Sequence, residues 1–288
     1  MNIERFAPSP TGFLHLGHAF SALTAFDAAT SRGGQFLLRI EDIDTARCKP
    51  AFEQAIFDDL HWLGLNWPTP VMRQSTRMQS YDAALARLTD MGLTDMGLCY
   101  PCACTRRDIT EALSAPQEGA AQQFGPDGVI YPRTCCTRSM ADRTTADAVR
   151  LDMRKAVALC GDLSKRGYRE IGEAPRWTPL EAAYLIERCG DIVLARRDIG
   201  TSYHLAVVVD DAAQQITHVT RGADMAPATP IHVLLQTLLD LPTPTYRHHR
   251  LIRDDTGKRL AKRHDALALQ TLREQGWTPT DVRAALIP

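Results

Sequence analysis

The opening of the chain constrains its fold more than any other stretch. Ile3 to Ala7 is a strand-like run, followed by the turn Pro8-Ser9-Pro10-Thr11-Gly12, with two prolines and two small residues. Apolar residues then recur at helical spacing from Leu16 to Thr30 (Leu16, Phe20, Leu23, Phe26), and Gly33-Gly34 stops the pattern. Phe36 to Ile40 reads as a buried strand ending in Glu41-Asp42-Ile43-Asp44. Strand, helix and strand within this span make one right-handed crossover unit, so the chain opens as an α/β protein.

His15-Leu16-Gly17-His18 stands where that first helix starts. A helix N-terminus offers unpaired N–H groups and a partial positive charge, which suits an anion. His15 and His18 are three residues apart, close enough to act together, and each can donate to a phosphate oxygen. Gly17 has no side chain, so a base or ribose can approach the backbone. The motif also follows the carboxyl end of a strand, where open α/β sheets bind ligands.

Further along, residues 50–63 and 76–91 read as helices, Leu205–Val209 and Ile216–Thr220 as buried strands, and Pro230–Leu241 as a helix. One or two short helices close the chain. Asp42, Asp44, Asp210 and Asp211 read as capping or solvated acids near strand ends, with magnesium ligation as the rival reading. The expected fold is α/β: a Rossmann-like doubly wound parallel sheet, a zinc-binding insertion and a short helical tail. The expected division is 1–98 and 146–241 for the two halves of a nucleotide-binding domain, 99–145 for the insertion, and 242–288 for a basic loop and tail.

Five of the eight cysteines fall between Cys99 and Cys136, which points to a metal rather than to disulfides in a chain with no secretory features. Cys102-x-Cys104 with Cys135 supplies three thiolates, and zinc takes four ligands. Cys99 and Cys136 are open as the fourth. Lysines and arginines number 33 against 34 acids, a net charge of −1, which excludes a generally basic nucleic-acid coat. Residues 133–176 are nevertheless locally basic, as is the segment holding Lys258-Arg259-Leu260-Ala261-Lys262-Arg263. A basic loop of this kind can neutralise a departing polyphosphate. The longest apolar runs are too short to cross a bilayer and the N-terminus lacks a signal-peptide core, so a cytoplasmic protein with no membrane partner is expected.

RFAPSPTGFLHLGH, followed by GGQFLLRIEDIDTAR, resembles the start of a class I aminoacyl-tRNA synthetase of the glutamyl type. His15–His18 is similar to that family's HIGH signature and Arg259–Arg263 (RLAKR) to its KMSKS signature, while YHLAVVVDD and ITHVTRGADM resemble the text between them. The likeness runs from Arg5 to about Leu269. It implies ATP as substrate with Mg²⁺ beside it, ATP contacts from His15, Gly17, His18 and Lys262, and catalytic roles for His15, His18 and Lys262. It implies L-glutamate held by Arg5, Phe6, Ala7, Pro8, Ser9, Glu41, Tyr203 and Arg221. Two arginines and one carboxylate complement the two carboxylates and one ammonium of glutamate. Arg259 and Ala261 depart from the signature, keeping the charge but losing a hydroxyl.

The likeness also implies Tyr131 as fourth ligand of one structural zinc ion, with Cys102, Cys104 and Cys135. Only 25 residues follow Arg263, too few for an anticodon-binding region. That shortened, cysteine-bearing form resembles the branch of the family that joins glutamate to the queuosine base in the anticodon of tRNA(Asp). The alternatives are a glutamate-adenylating ligase with another acceptor, charging of tRNA(Glu) itself, and a non-catalytic binding module.

Overall fold

A computed structural model describes residues 1–91, 97–114, 124–252 and 267–287. Lys262 and the whole of the RLAKR segment lie outside the described residues. In chain order the strands are β1 (Ile3–Phe6), β2 (Gln35–Ile40), β3 (Met72–Arg73), β4 (Cys99–Cys102), β5 (Phe124–Gly125), β6 (Gly128–Val129), β7 (Ala148–Leu151), β8 (Gly167–Glu170), β9 (Arg176–Pro179), β10 (Val193–Ala195), β11 (His218–Gly222) and β12 (Thr245–His249). The α-helices are α1 (Leu16–Thr30), α2 (Pro50–Trp62), α3 (Met78–Asp90), α4 (Arg106–Ser114), α5 (Met153–Cys160), α6 (Tyr203–Ala213), α7 (Thr229–Leu238), α8 (Leu269–Glu274) and α9 (Pro279–Ala285).

Among the described residues the central sheet has the order β3-β2-β1-β11-β12-β8-β9, parallel except for β9. A smaller antiparallel sheet has the order β10-β7-β4. Two apolar cores lie on opposite faces of the central sheet. One holds Phe6 and Leu38 with α1, α2, α8 and α9, and the other holds Val219 and Tyr246 with α6 and α7. The strand order reverses at β1, with β2 on one side and β11 on the other, and the carboxyl ends of these strands form the crevice that such folds use for ligands. Gly34 permits the β1–β2 connection: a Cβ there would stand 2.2 Å from the Asn2 carbonyl oxygen.

The first crossover, the helices at 50–63 and 76–91, the strand near 216–220 and the closing short helices all follow the sequence reading. One element does not. Leu205–Val209, read as a buried strand, is the middle of α6. That helix is buried nearly all round, including His204, Asp210 and Asp211, so it shows no amphipathic period, and a short apolar run cannot separate strand from buried helix. Ser202 fixes its start by accepting the Leu205 N–H. Asp210 and Asp211 accordingly lie in a buried helix rather than at a solvated strand end.

Candidate active site

β1 ends in alternating directions: Phe6 enters the α1-side core, and Arg5 faces α6. Residues 7–12 then turn back over β2, where the Glu41 N–H donates to the Pro8 carbonyl at 3.0 Å and the Thr11 N–H to that of Ser9 at 2.8 Å. His15 caps α1. Its Nδ1 accepts the Gly17 N–H at 3.1 Å, and the His18 Nδ1 accepts the His15 N–H at 3.2 Å. Because both Nδ1 atoms accept, a neutral ring carries its proton on Nε2 in each case. The two rings stand 3.8 Å apart, centre to centre. A Cβ on residue 17 would meet the His15 ring at 3.0 Å, so Gly17 makes room for the capping imidazole. The segment after residue 266 returns to this point: Ala268 forms a β-bridge with His15, and the Leu269 N–H donates to the Leu14 carbonyl.

Beside the motif lies a buried charge cluster. Asp211 takes Arg5 Nε at 3.0 Å and Arg39 Nη1 at 2.8 Å, and Arg39 Nη2 reaches Glu41 at 3.0 Å. Burial disfavours charge on Arg39, but Asp211 and Glu41 more than offset it and keep the guanidinium charged. Burial also works against Asp211, yet Arg5 and Arg39 hold its carboxyl below the usual range. At Glu41 burial wins, and the carboxyl is raised despite Arg39 and Arg5. The Tyr203 hydroxyl is raised by burial and senses Arg221, Glu41, Arg5 and Asp211. The structure therefore gathers Arg5, Glu41, Tyr203 and Arg221 at the carboxyl ends of β1, β2 and β11.

Arg221 differs from the other two arginines. Nε donates to His248 Nε2 at 3.3 Å, Nη1 to His232 Nδ1 at 3.2 Å and Nη2 to Thr229 Oγ1 at 2.6 Å. All three acceptors are neutral. Burial, then Arg221 itself, depresses the His232 and His248 imidazoles, so both stay uncharged near neutral pH. Arg221 can only donate, which fixes the tautomers. His248 gives its Nδ1–H to Glu170, and His232 gives its Nε2–H to His204 Nδ1 at 3.1 Å. Among the described residues Arg221 meets no carboxylate directly. It is a buried guanidinium held in place by neutral groups, a suitable receptor for a ligand carboxylate.

A second cluster is metal-ligating in character. The Sγ atoms of Cys102, Cys104 and Cys135 lie within 4.8 Å of one another. Tyr131 Oη lies 3.3 Å from Cys102 Sγ and 3.4 Å from Cys104 Sγ. Zinc–sulfur bonds of about 2.3 Å imply S···S edges of roughly 3.8 Å, so these spacings suit a tetrahedral ion. Burial pushes the Cys135 thiol up, but hydrogen bonds from Tyr131, the Ala103 N–H and the neighbouring thiols bring it down to about 7. Cys99 is on the other side of β4, in the α6–α7 core, whereas Cys136 packs against the cluster.

The family described as tRNA synthetases class I (E and Q), catalytic domain, matches residues 3–158 and 178–287. The chain belongs to this family. It is 54% identical over 285 residues to the glutamyl-Q tRNA(Asp) synthetase of Rhodobacter capsulatus, covering 98% of both chains. It is 41% identical over 282 residues to the protein of the same name from Nocardia farcinica, covering 98% of this chain and 82% of that one. Among solved structures it is similar to a glutamate tRNA ligase from Elizabethkingia meningosepticum crystallised with its amino acid, with a TM-score of 0.69 and 27% identity. A glutamate-tRNA synthetase from Elizabethkingia anophelis gives a TM-score of 0.68. The chain spans 52% of the length of each of these two structures. As a class I synthetase it is a ligase, and no described helix is long and apolar enough to cross a membrane.

The sequence did not single out Arg39, Glu170, His232 or His248, and Asp211 read as an acid at a strand end rather than as a buried ion-pair partner. A charge inside the apolar run Phe36–Ile40 was the available signal for Arg39. Arg39 is fully buried, so Arg39→Ala leaves Glu41 and Asp211 short of a partner. We expect a loss of about 3–5 kcal/mol in urea unfolding. The Arg39→Ala/Asp211→Ala double variant is expected to lose less than the sum of the two single changes.

Proposed function

We propose that this synthetase activates L-glutamate with ATP and transfers it to the queuosine base in the anticodon of tRNA(Asp). The convergence of Arg5, Glu41, Tyr203 and Arg221 beside the capped helix of His15 and His18 carries the reading. The names of the relatives, glutamyl-Q tRNA(Asp) synthetase, support the acceptor.

In the first half-reaction a glutamate α-carboxylate oxygen attacks the α-phosphorus of ATP. The bond to the bridging oxygen breaks, leaving glutamyl-adenylate and pyrophosphate. No side chain needs to gain or lose a proton, so positioning and charge stabilisation carry the step. Arg5 and Arg221 receive the carboxylates, Glu41 the ammonium, and Tyr203 with residues 7–9 closes the site around them, while Phe6, buried in the α1-side core, supports it from behind. His15 and His18 offer Nε2–H groups to the α-phosphate, with Gly17 N–H and the α1 dipole behind them. Mg²⁺ accompanies the nucleotide. Lys262 would hold the departing pyrophosphate. The position of its flanks supports this, since Ala268 bridges to His15 and His249 bonds Ser21 of α1. In the second half-reaction a hydroxyl oxygen of the modified base attacks the acyl carbon, AMP leaves with the bonding pair, and the hydroxyl proton is released.

Cys102, Cys104, Tyr131 and Cys135 would hold one structural zinc ion. It would tie β4 to the loop after β6, a region with little apolar core of its own. We place the protein in the cytoplasm, with its ATP and tRNA substrates.

Labelled glutamate and ATP should label tRNA(Asp) carrying queuosine, and neither tRNA(Asp) lacking it nor tRNA(Glu). Label on tRNA(Glu) would move the acceptor to the 3′ end, and pyrophosphate exchange with no labelled tRNA would favour another acceptor.

The purified protein should carry one zinc ion per chain by elemental analysis. Cys135→Ser should lose it and unfold at a lower temperature. A zinc-free wild type of unchanged stability would rule the ion out.

Glu170 and His248 act on glutamate only through Arg221. His248→Ala should therefore raise the KM for glutamate about tenfold or more, the scale of one misaligned charged hydrogen bond, with little change in the KM for ATP. Equal changes in both would mean general damage to the site.

A further inference from the structure

The basic segment 133–176 divides in two in the structure. Arg133 is paired with Asp152 and Asp191, Arg138 with Asp147, and Arg150 lies over the Tyr131 ring and donates to the Asp191 carbonyl. These cations hold the insertion together and are not available to a partner. The later ones are different. Lys165, Arg166, Arg169 and Arg176 are exposed, and among the described residues no ion pair is formed by Arg166, Arg169 or Arg176. Lys165 has one loose contact, 3.6 Å from Asp162.

These side chains follow the open edge of the central sheet. Among the described residues β9 is the edge strand, paired only with β8, and three of its four residues are exposed. Trp177 stands directly across from Arg169 and is 56% exposed, a large aromatic surface left in water. Arg176 pairs in register with Glu170, the residue that holds His248 in the active site. The strip therefore starts at the active-site end of the sheet and runs away from it. At about 3.3 Å per residue, it extends roughly 13 Å to Arg166. There a cleft of about 330 Å³ opens, lined by Lys165, Arg166, Arg169 and Trp177, with Asp240 on its far wall. Residues 159–177 also fall between the two stretches matched by the family's catalytic domain.

We propose that this edge is a contact surface for the tRNA substrate. The indole of Trp177 stacks on an unpaired base, and Arg166, Arg169, Arg176 and Lys165 lie along the phosphate backbone. A row of unpaired cations beside an exposed aromatic ring is the pairing that single-stranded nucleic acid requires: charge for the backbone, and a flat face any base can use. RNA loops present such unstacked bases, whereas helical RNA hides them. The polyanion rather than a protein is favoured because, among the described residues, Arg166, Arg169 and Arg176 form no ion pair and the strip adjoins the site at which an anticodon base would react. The inference rests on the proposed transfer to tRNA, and the test separates the two.

Trp177→Ala, Trp177→Phe and Arg169→Glu would be compared with wild type in two assays. One is glutamate-dependent ATP–pyrophosphate exchange without tRNA. The other is glutamate transfer to queuosine-bearing tRNA(Asp) at several salt concentrations. Exchange should be unchanged in all three, because none touches the activation site. The KM for tRNA should rise about tenfold or more in Trp177→Ala and in Arg169→Glu, and stay within about twofold in Trp177→Phe, which keeps the ring. Losing the Arg169 contact should also flatten the log–log salt dependence of tRNA binding by about 0.7–0.9. An unchanged tRNA KM in both Trp177→Ala and Arg169→Glu, with exchange intact, would overturn the proposal and leave the edge for a protein partner. If wild type labels no tRNA at all, the proposed function fails, whatever the variants do.

Discussion

One carboxylate organises the centre of this protein. Asp211 is buried in α6 and receives two guanidiniums, Arg5 from β1 and Arg39 from β2. Three charges of that kind are costly in an apolar interior unless paired and hydrogen-bonded. The pairing therefore fixes how α6 sits on the sheet, and with it Tyr203 at the start of α6. It also holds Glu41 through Arg39, just beyond β2. Side chains separated by about 170–206 residues in the chain are thus set by one ion-pair network. The N-terminal end of α1 lies beside it because α1 is the next element after β1.

Arg221 joins this cluster by another principle. Where Arg5 and Arg39 share a carboxylate, Arg221 is oriented by two neutral histidines and a threonine, with Glu170 behind one of them. A guanidinium that shares one carboxylate with a second guanidinium, as Arg5 does, keeps part of its charge for a substrate. One held only by neutral acceptors keeps its charge for an incoming anion without losing its geometry. The neutrality of His232 and His248 follows from burial next to that same cation. The charges on Arg221 and its neighbours are in this way set before any ligand arrives, which is the condition for electrostatic preorganisation.

Much of this was legible in the sequence, for uneven reasons. The opening crossover declared itself through local signals: a proline-rich turn, a helical apolar period and a glycine pair. The residues gathered in the pocket, Arg5, Glu41, Tyr203 and Arg221, could be named because their neighbours match a family's motifs, not because spacing reveals a pocket. Arg39 was missed and Asp211 misread because their meaning is a contact between distant segments, and an Asp after a valine run looks like a strand end. The same run misled the reading of α6, since a helix buried on every side has no polar face to give its period. Residues 133–176 were recognisable as basic, but only packing separates Arg133, Arg138 and Arg150, which are used internally, from the arginines left at the sheet edge. The cysteine crowding was plain, while Tyr131 could be named beside the thiols only through the family likeness, since one tyrosine among cysteines carries no signal of its own.

The central claim is that the buried arginine–carboxylate pocket is a receptor for glutamate. ATP–pyrophosphate exchange driven in turn by each standard amino acid tests it most directly, since tRNA is not a reactant in that step. The account predicts exchange with L-glutamate, at least about a hundredfold faster than with glutamine, which lacks the second carboxylate that a charged site requires. Exchange as fast with glutamine, or with no amino acid at all, would contradict it.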